Sequence, residues 1–269
     1  MIATRVRDLM RPILITCPPN MPLGGVAAIL TRQRVHAIIV ADATGTPLGV
    51  VSDIDLIGGE WLGDDPAKLA ELRGKSAAQL MSSPAVTIDA AAPASEAAAK
   101  MRQLHIHRLV VTDMERAIGV IAVSDLIHGL APRSRERAVV ADVMARGFVA
   151  CRAETTIAAA ARAMSERRSR AIVVVSGHGR PLGMVTGFDM LDYCDAGNPS
   201  DPVTRVMHPA LTIGPEASLR VAAEKMRANH VHRLVVVDPA DPESVPLGLI
   251  STSDLVAELA TPVPAGRVG

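Results

Sequence analysis

Aromatic residues are almost missing: the 269-residue chain has one Trp, one Tyr and two Phe. Any core must be aliphatic, and the stacking platforms of single-strand nucleic-acid binders are lacking. Net charge is missing too. Lys plus Arg and Asp plus Glu both number 28, so nothing overall draws the chain to nucleic acid or an anionic membrane. The Arg-rich stretches RSRER (133–137) and RRSR (167–170) are local, and read as a solvated linker and a helix end. Cysteine is scarce. Cys17, Cys151 and Cys194 are far apart, lack metal-ligand spacing and make no disulfide framework. No apolar run approaches the ~20 residues that span a bilayer. The opening MIATRVRDLM lacks the apolar stretch of a signal peptide. The expectation is a soluble cytoplasmic protein with no membrane and no nucleic-acid partner. Nor is there a Gly-x-Ser-x-Gly elbow or a Gly-x-x-x-x-Gly-Lys phosphate loop.

What the chain does have is aliphatic residues and repetition. Apolar residues make up 49% of it. The segments GVVSDID, GVIAVSD, GMVTGFD and GLISTSD end at Asp55, Asp125, Asp189 and Asp254, which stand 70, 64 and 65 residues apart. A second landmark precedes each: RVHAIIVAD, HIHRLVVTD, SRAIVVVSG and HVHRLVVVD. Its anchors are His36, His107, Arg170 and His232, spaced by 71, 63 and 62. A third landmark opens each unit with Met10, Met81, Met144 or Met207, spaced by 71, 63 and 63. Three landmarks with one period define repeats at about 1–58, 72–129, 136–193 and 201–260.

Each unit has the same inner order. A short apolar segment such as Ala85-Val86-Thr87-Ile88 comes first. A helix follows, starting at Pro22, Pro93, Thr156 or Ser218, which are all suited to a helix start. Its inward stripe is Leu23/Ala27/Leu30, Ala94/Ala98/Met101, Ile157/Ala161/Met164 and Leu219/Ala223/Met226, at offsets of four and three. A buried strand, a polar turn, a second strand and a second helix complete a β-α-β-β-α unit. About 60 residues bury only part of their apolar surface alone, so the units are expected to pair. The linker APRSRER (131–137) separates two such pairs, 1–130 and 136–262. GGEWLGDDPAKLAELRGKS and CDAGNPSDP join the units within them.

The motif aspartate has two readings. It can cap the helix that it begins. It can also accept hydrogen bonds from a ribose diol, beside a hydroxyl and free backbone N–H groups that suit a phosphate. The anchors bring positive charge: His107-Arg108, His232-Arg233 and Arg170. Those groups could bind phosphate or pair with neighbouring carboxylates. His105-x-His107 and His230-x-His232 could begin a metal site, but no third ligand has a suitable position. The repeats also leave no room for a separate catalytic domain, so no enzyme activity is expected.

The four units resemble cystathionine β-synthase (CBS) domains over nearly the whole chain. The quoted motif is similar to that family's Gly-h-h-Ser/Thr-x-x-Asp pattern, where h is apolar. The resemblance implies an α/β fold of four β-α-β-β-α repeats in two pseudo-twofold pairs, called Bateman modules. It implies a regulatory ligand, not a required cofactor: AMP, ADP or ATP, with S-adenosylmethionine and NADH as alternatives. A scaffold without ligand remains the other reading. By resemblance, Asp55, Asp125, Asp189 and Asp254 would hold ribose hydroxyls. Ser52, Ser124, Thr186, Ser251 and Ser253 would stand near ribose or phosphate. His36, His107, Arg108, Arg170, His232 and Arg233 would reach phosphates, and Thr16, Thr87 and Thr212 would wrap the base. No metal is implied. The expected partners are an unidentified regulated protein and a second copy of the chain, although the two modules could also pair within one chain. Departures are visible. Ala122 replaces the hydroxyl in repeat 2, Ala37 and Ala171 stand where repeats 2 and 4 have Arg, and Phe188 precedes Asp189. Four geometric sites are expected, with fewer occupied and repeat 4 the most complete.

Overall fold

The structure is a computed structural model that describes residues 4–58, 61, 65–104, 106–129, 138–167, 169–193, 197–241 and 244–259. The linker 131–137, Cys194 and His105 lie outside the described residues. Repeat 1 comprises α1 (Val6–Leu9), β1 (Thr16–Cys17), α2 (Leu23–Gln33), β2 (Ala37–Ala41), β3 (Pro47–Ser52) and α3 (Asp53–Ile57), and α4 (Pro66–Gly74) follows. Repeat 2 comprises α5 (Ala77–Leu80), β4 (Thr87–Asp89), α6 (Ala94–Gln103), β5 (Arg108–Asp113), β6 (Arg116–Ala122) and α7 (Val123–Gly129). Repeat 3 comprises α8 (Val140–Val143), β7 (Ala150–Arg152), α9 (Ile157–Glu166), β8 (Ala171–Val175), β9 (Pro181–Thr186) and α10 (Gly187–Tyr193). Repeat 4 has a 3-10 turn (Val203–Arg205), β10 (His208–Pro209), β11 (Thr212–Ile213), α11 (Leu219–Ala228), β12 (Arg233–Val236), β13 (Gly248–Ser251) and α12 (Thr252–Leu259). This is the α/β fold with four repeated units that the sequence implies.

Each repeat has a small sheet. Its first strand is parallel to the middle one, which is antiparallel to the last, as in β1-β2-β3. The middle strands carry buried apolar runs, such as Leu109-Val110-Val111, because both their faces are covered there. Successive side chains point to opposite faces. In β8, Ile172 and Val174 face the helices while Val173 meets Val235 and Val237 of repeat 4. In β12, Leu234 and Val236 face the helices and Val235 faces repeat 3. The helix stripe is buried in repeats 1 to 3: Leu23, Leu30, Ala98, Ile157 and Met164 are at or near zero exposure. In repeat 4 Met226 is buried, whereas Leu219 and Ala223 are half-buried.

The opening segments are exchanged within each pair. Residues 5–11 lie on repeat 2, where Arg11 N donates to Val120 O at 2.9 Å and Val120 N returns a bond at 3.0 Å. Residues 75–85 lie on repeat 1, where Val50 and Ser82 exchange bonds at 3.1 and 2.9 Å. Repeats 3 and 4 do the same, with Ala145 on Leu249 and β10 on β9. The motif glycine makes this contact possible. A β-carbon at Gly49 would stand 2.8 Å from Ser82 O, and one at Gly248 2.6 Å from Ala145 O. Gly119 and Gly183 meet Arg11 O and His208 O in the same way.

The two pairs pack against each other within one chain. Repeats 1 and 3 share one core, joining Leu30, Ile57 and Trp61 to Ile157, Met164 and Met190. Helix α3 packs on α10, and α7 on α12. Val256 of repeat 4 enters the core of repeat 2. Residues 65–76 of the join are structured where the sequence suggests only a linker. Asp65 Oδ1 caps α4 through Ala67 N at 2.9 Å, and Pro66 takes the first helical position. Leu69 and Leu72 pack on the shared core, and the Arg73 guanidinium lies over the buried Trp61 ring at 5.5 Å.

Candidate functional site

The motif aspartates all sit at the first turn of the second helix of their repeat. One oxygen of each caps that helix. Asp55 Oδ2 accepts from Ser52 N at 2.7 Å and Ser52 Oγ at 2.6 Å. Asp189 Oδ2 accepts from Thr186 N and Oγ1 at 2.7 and 2.6 Å, and Asp254 Oδ2 from Ser251 N and Oγ, both at 2.7 Å. Asp125 Oδ2 accepts from Ala122 N at 2.8 Å. Capping uses one oxygen only, so it does not prevent the other from meeting a ligand.

The other oxygens differ. Asp125 Oδ1 accepts from Arg11 Nε at 2.9 Å, and Asp189 Oδ1 lies 3.0 Å from His208 Nε2. Among the described residues, Asp55 Oδ1 and Asp254 Oδ1 have no such partner.

A cavity of about 200 Å³ opens between repeats 1 and 2. Ser52 and Asp55 line it from repeat 1, His107 and Arg108 from repeat 2, and Arg170 from repeat 3. Ile39, Val50, Val86, Val110 and Val120 give it apolar walls. Thr16, Thr87 and Thr212 stand on the parallel edge strands β1, β4 and β11. None of the three is among the lining residues of this cavity, which Val86 reaches from just before β4.

The anchors converge where the four repeats meet. Arg108, Arg170 and Arg233 are half-buried. Burial pushes Arg108 and Arg233 down to about 10, and repulsion by Arg170 adds to it. Arg170 is lowered by burial, against the pull of Asp53 and Asp55. His107 is pushed down to about 4, by burial first and then by Arg170, Arg233 and Arg108. Its Nδ1 lies 2.6 Å from Ser253 Oγ of repeat 4, a contact between the two pairs. His232 is lowered by burial and by His36. The His36 ring meets the Phe188 ring edge-on at 5.3 Å. Ser124 lies beside Asp125 at the start of α7.

The counter-charge at this centre is one that sequence reading passed over. Asp53 is 4% exposed. Its Oδ2 lies 2.8 Å from His36 Nδ1, and its Oδ1 accepts from Ile54 N at 2.8 Å. Its equivalents are Val123, Gly187 and Thr252, so the carboxylate breaks the repetition in one unit only. That break was the available signal. No group of three potential metal ligands is present among the described residues, and no helix among them is long and apolar enough to cross a membrane.

Comparison with known proteins settles the family. A CBS domain family model matches residues 6–59, 77–132, 140–196 and 203–261. The chain belongs to the CBS-domain family. Protein MJ1225 from Methanocaldococcus jannaschii has the same fold, with a TM-score of 0.81 at 18% identity over 95% of this chain and 99% of that one. A conserved protein from Pyrococcus horikoshii gives 0.64 at 21% identity, over 95% and 100%. At such identities the likeness speaks to fold. A CBS domain-containing protein of Dictyostelium discoideum is 30% identical over 130 residues, which is 45% of this chain and 88% of its own length. Protein MJ1404 of M. jannaschii is 26% identical over 139 residues, and the match spans only 32% of that protein.

Within this CBS arrangement the exchanged segments matter for the site. Ser82, Pro84 and Ala85, from the opening of repeat 2, line the cavity against Asp55 of repeat 1. This cleft is therefore built by two repeats, and it also receives Arg170 from the other pair.

Proposed function

We propose that this protein senses an adenosine-containing ligand in the clefts between paired CBS repeats and passes the change to a separate regulated protein. The single observation that carries this is the cavity between repeats 1 and 2. It places a carboxylate and a hydroxyl, Asp55 and Ser52, at one side and the Arg108 and Arg170 guanidiniums in the same space, with aliphatic walls between. A nucleotide presents the matching parts: a diol, phosphate and an apolar base face. Charge supports the same reading. Arg170 repels both Arg108 and Arg233 beside one deeply buried carboxylate, and an anion would relieve that repulsion. The adenosyl class itself rests on the family resemblance. The role is regulatory and not catalytic. Because the cleft spans repeats 1, 2 and 3, a ligand there would tie the two pairs together. A regulated protein would read that change.

Calorimetric titration of nucleotide-free protein with AMP, ADP, ATP, NADH and S-adenosylmethionine tests it. Micromolar binding of at least one, weakened in Asp55→Ala and Asp254→Ala, is expected. No heat with any of the five, from folded protein, would favour the scaffold reading.

A further inference from the structure

The four exchanged segments lie in one register on their partner sheets. Arg11, Ser82, Ala145 and His208 each follow an opening methionine. They pair with Val120, Val50, Leu249 and Met184, each of which follows a motif glycine. The same backbone position therefore stands before all four motif aspartates, carried by a different side chain each time. On repeats 2 and 3 it is cationic, and it holds the free carboxylate oxygen. Arg11 donates to Asp125 and His208 meets Asp189. On repeats 1 and 4 it is Ser82 or Ala145, too short and uncharged, and the Asp55 and Asp254 Oδ1 atoms have no partner among the described residues. Ser82 instead lines the cavity that contains Asp55.

We propose that the residue after each opening methionine gates the half-site of the partner repeat. The gate is open at Asp55 and Asp254 and closed at Asp125 and Asp189. The chain then takes two ligands, one in each CBS pair, although it has four motif aspartates. This deepens the nucleotide reading above and rests on it for the ligand. The physical cause is competition for one oxygen. A ribose hydroxyl must displace a charge-assisted hydrogen bond at the closed sites, which weakens binding there by on the order of 10- to 100-fold. Arg11 and His208 are themselves largely exposed, with 66% and 70% of their side chains accessible, so each covers its carboxylate from the solvent side. Repeat 2 is doubly closed, because Ala122 also lacks the motif hydroxyl.

The test counts AMP per chain by equilibrium dialysis, for the wild type, His208→Ser and Ser82→Arg. The expected counts are two, three and one at AMP concentrations that saturate only the tight sites. Any other non-zero wild-type count, or variants that leave it unchanged, overturns the gate. Should AMP not bind the wild type at all, AMP is not the ligand, and a ligand-free readout decides the gate. Carbodiimide-driven coupling of glycine ethyl ester, read by peptide mass spectrometry, should label Asp55 faster than Asp125. Arg11→Ser should raise the Asp125 rate severalfold. Equal rates, or no response to Arg11→Ser, would overturn it.

Discussion

Gly248→Ala is the most direct probe of the exchanged architecture. The new β-carbon would lie 2.6 Å from Ala145 O and 3.2 Å from Met144 Sδ. The nearest obstacle is backbone, so it cannot rotate away. Ala145 must retreat, and its two bonds with Leu249, at 2.8 and 2.9 Å, are stretched or lost. Two net hydrogen bonds are worth about 1–3 kcal/mol, and the overpacking strain adds roughly 1–3 kcal/mol. Against this, replacing glycine restricts the unfolded chain and returns about 0.4–1 kcal/mol. The balance is a loss of about 2–4 kcal/mol. Urea unfolding of the full chain, followed by circular dichroism, measures it. Gly74→Ala is the control, because Gly74 ends α4 with nothing within 4 Å of its added β-carbon. The control should be neutral or slightly stabilised. If Gly248→Ala unfolds at the same urea concentration as Gly74→Ala, the exchanged segment is not held against the motif glycine, and the reasoning fails.

Two further outcomes follow from the centre and the join. His107 has its folded pKa lowered to about 4 from 6.5. Between those values the unfolded chain binds the proton and the folded chain does not, so stability falls as pH drops from 6.5 and levels off below about 4. With a discount for solvent screening the loss is roughly 2 kcal/mol. His107→Gln should flatten that part of the pH–stability curve measured by thermal melting, and an unchanged slope would reject the cause. Trp61 is 2% exposed in the core that repeats 1 and 3 share. Trp61→Ala should cost about 3–5 kcal/mol. In the unaltered chain, the fluorescence of this sole tryptophan should follow the same unfolding transition as circular dichroism; an earlier fluorescence change would show the join to be separate from the shared core.

The repeated parts of the fold were legible because repetition averages out local ambiguity. Alanine at 27, 98, 161 and 223 at one helix offset marks an inward face more firmly than any single stripe. The middle strands were legible as buried runs such as Leu234-Val235-Val236-Val237, all at or near zero exposure. Helix α4 was missed although its start signal, Asp65 followed by Pro66, is ordinary; α4 has no counterpart in the other repeats, and a search by period passes over it. The exchange of opening segments was not legible from order alone. Met81 is nearer in sequence to Thr87 than to Gly49, yet it packs against Gly49. Chain order cannot say which of two similar sheets a segment joins. Of the site residues read from the sequence, Ser52, Asp55, His107, Arg108 and Arg170 line one cavity, whereas Asp125, Asp189, Asp254 and Arg233 are not among its lining residues. Unequal copies were expected from Ala122, Ala37, Ala171 and Phe188; what chain order did not reveal is that Arg11 and His208, outside the motif, meet Asp125 and Asp189.

The three landmarks serve three different neighbours, and this accounts for the size of the assembly. The opening methionine reaches the motif glycine of the paired repeat. The motif aspartate caps its own helix, and α3 and α7 then pack on α10 and α12 of the other pair. The anchors reach the centre, where Arg170 of repeat 3 enters a cavity made by repeats 1 and 2. One unit therefore satisfies none of its three surfaces alone, two units satisfy the first, and four satisfy all of them. The motif glycine, which meets the paired opening segment, is the same in every copy. Other positions differ: Asp53 stands against Val123, Gly187 and Thr252, and Arg11 against Ser82, Ala145 and His208. The copies agree where backbone approaches backbone and differ in the charge that they bring beside the motif aspartates.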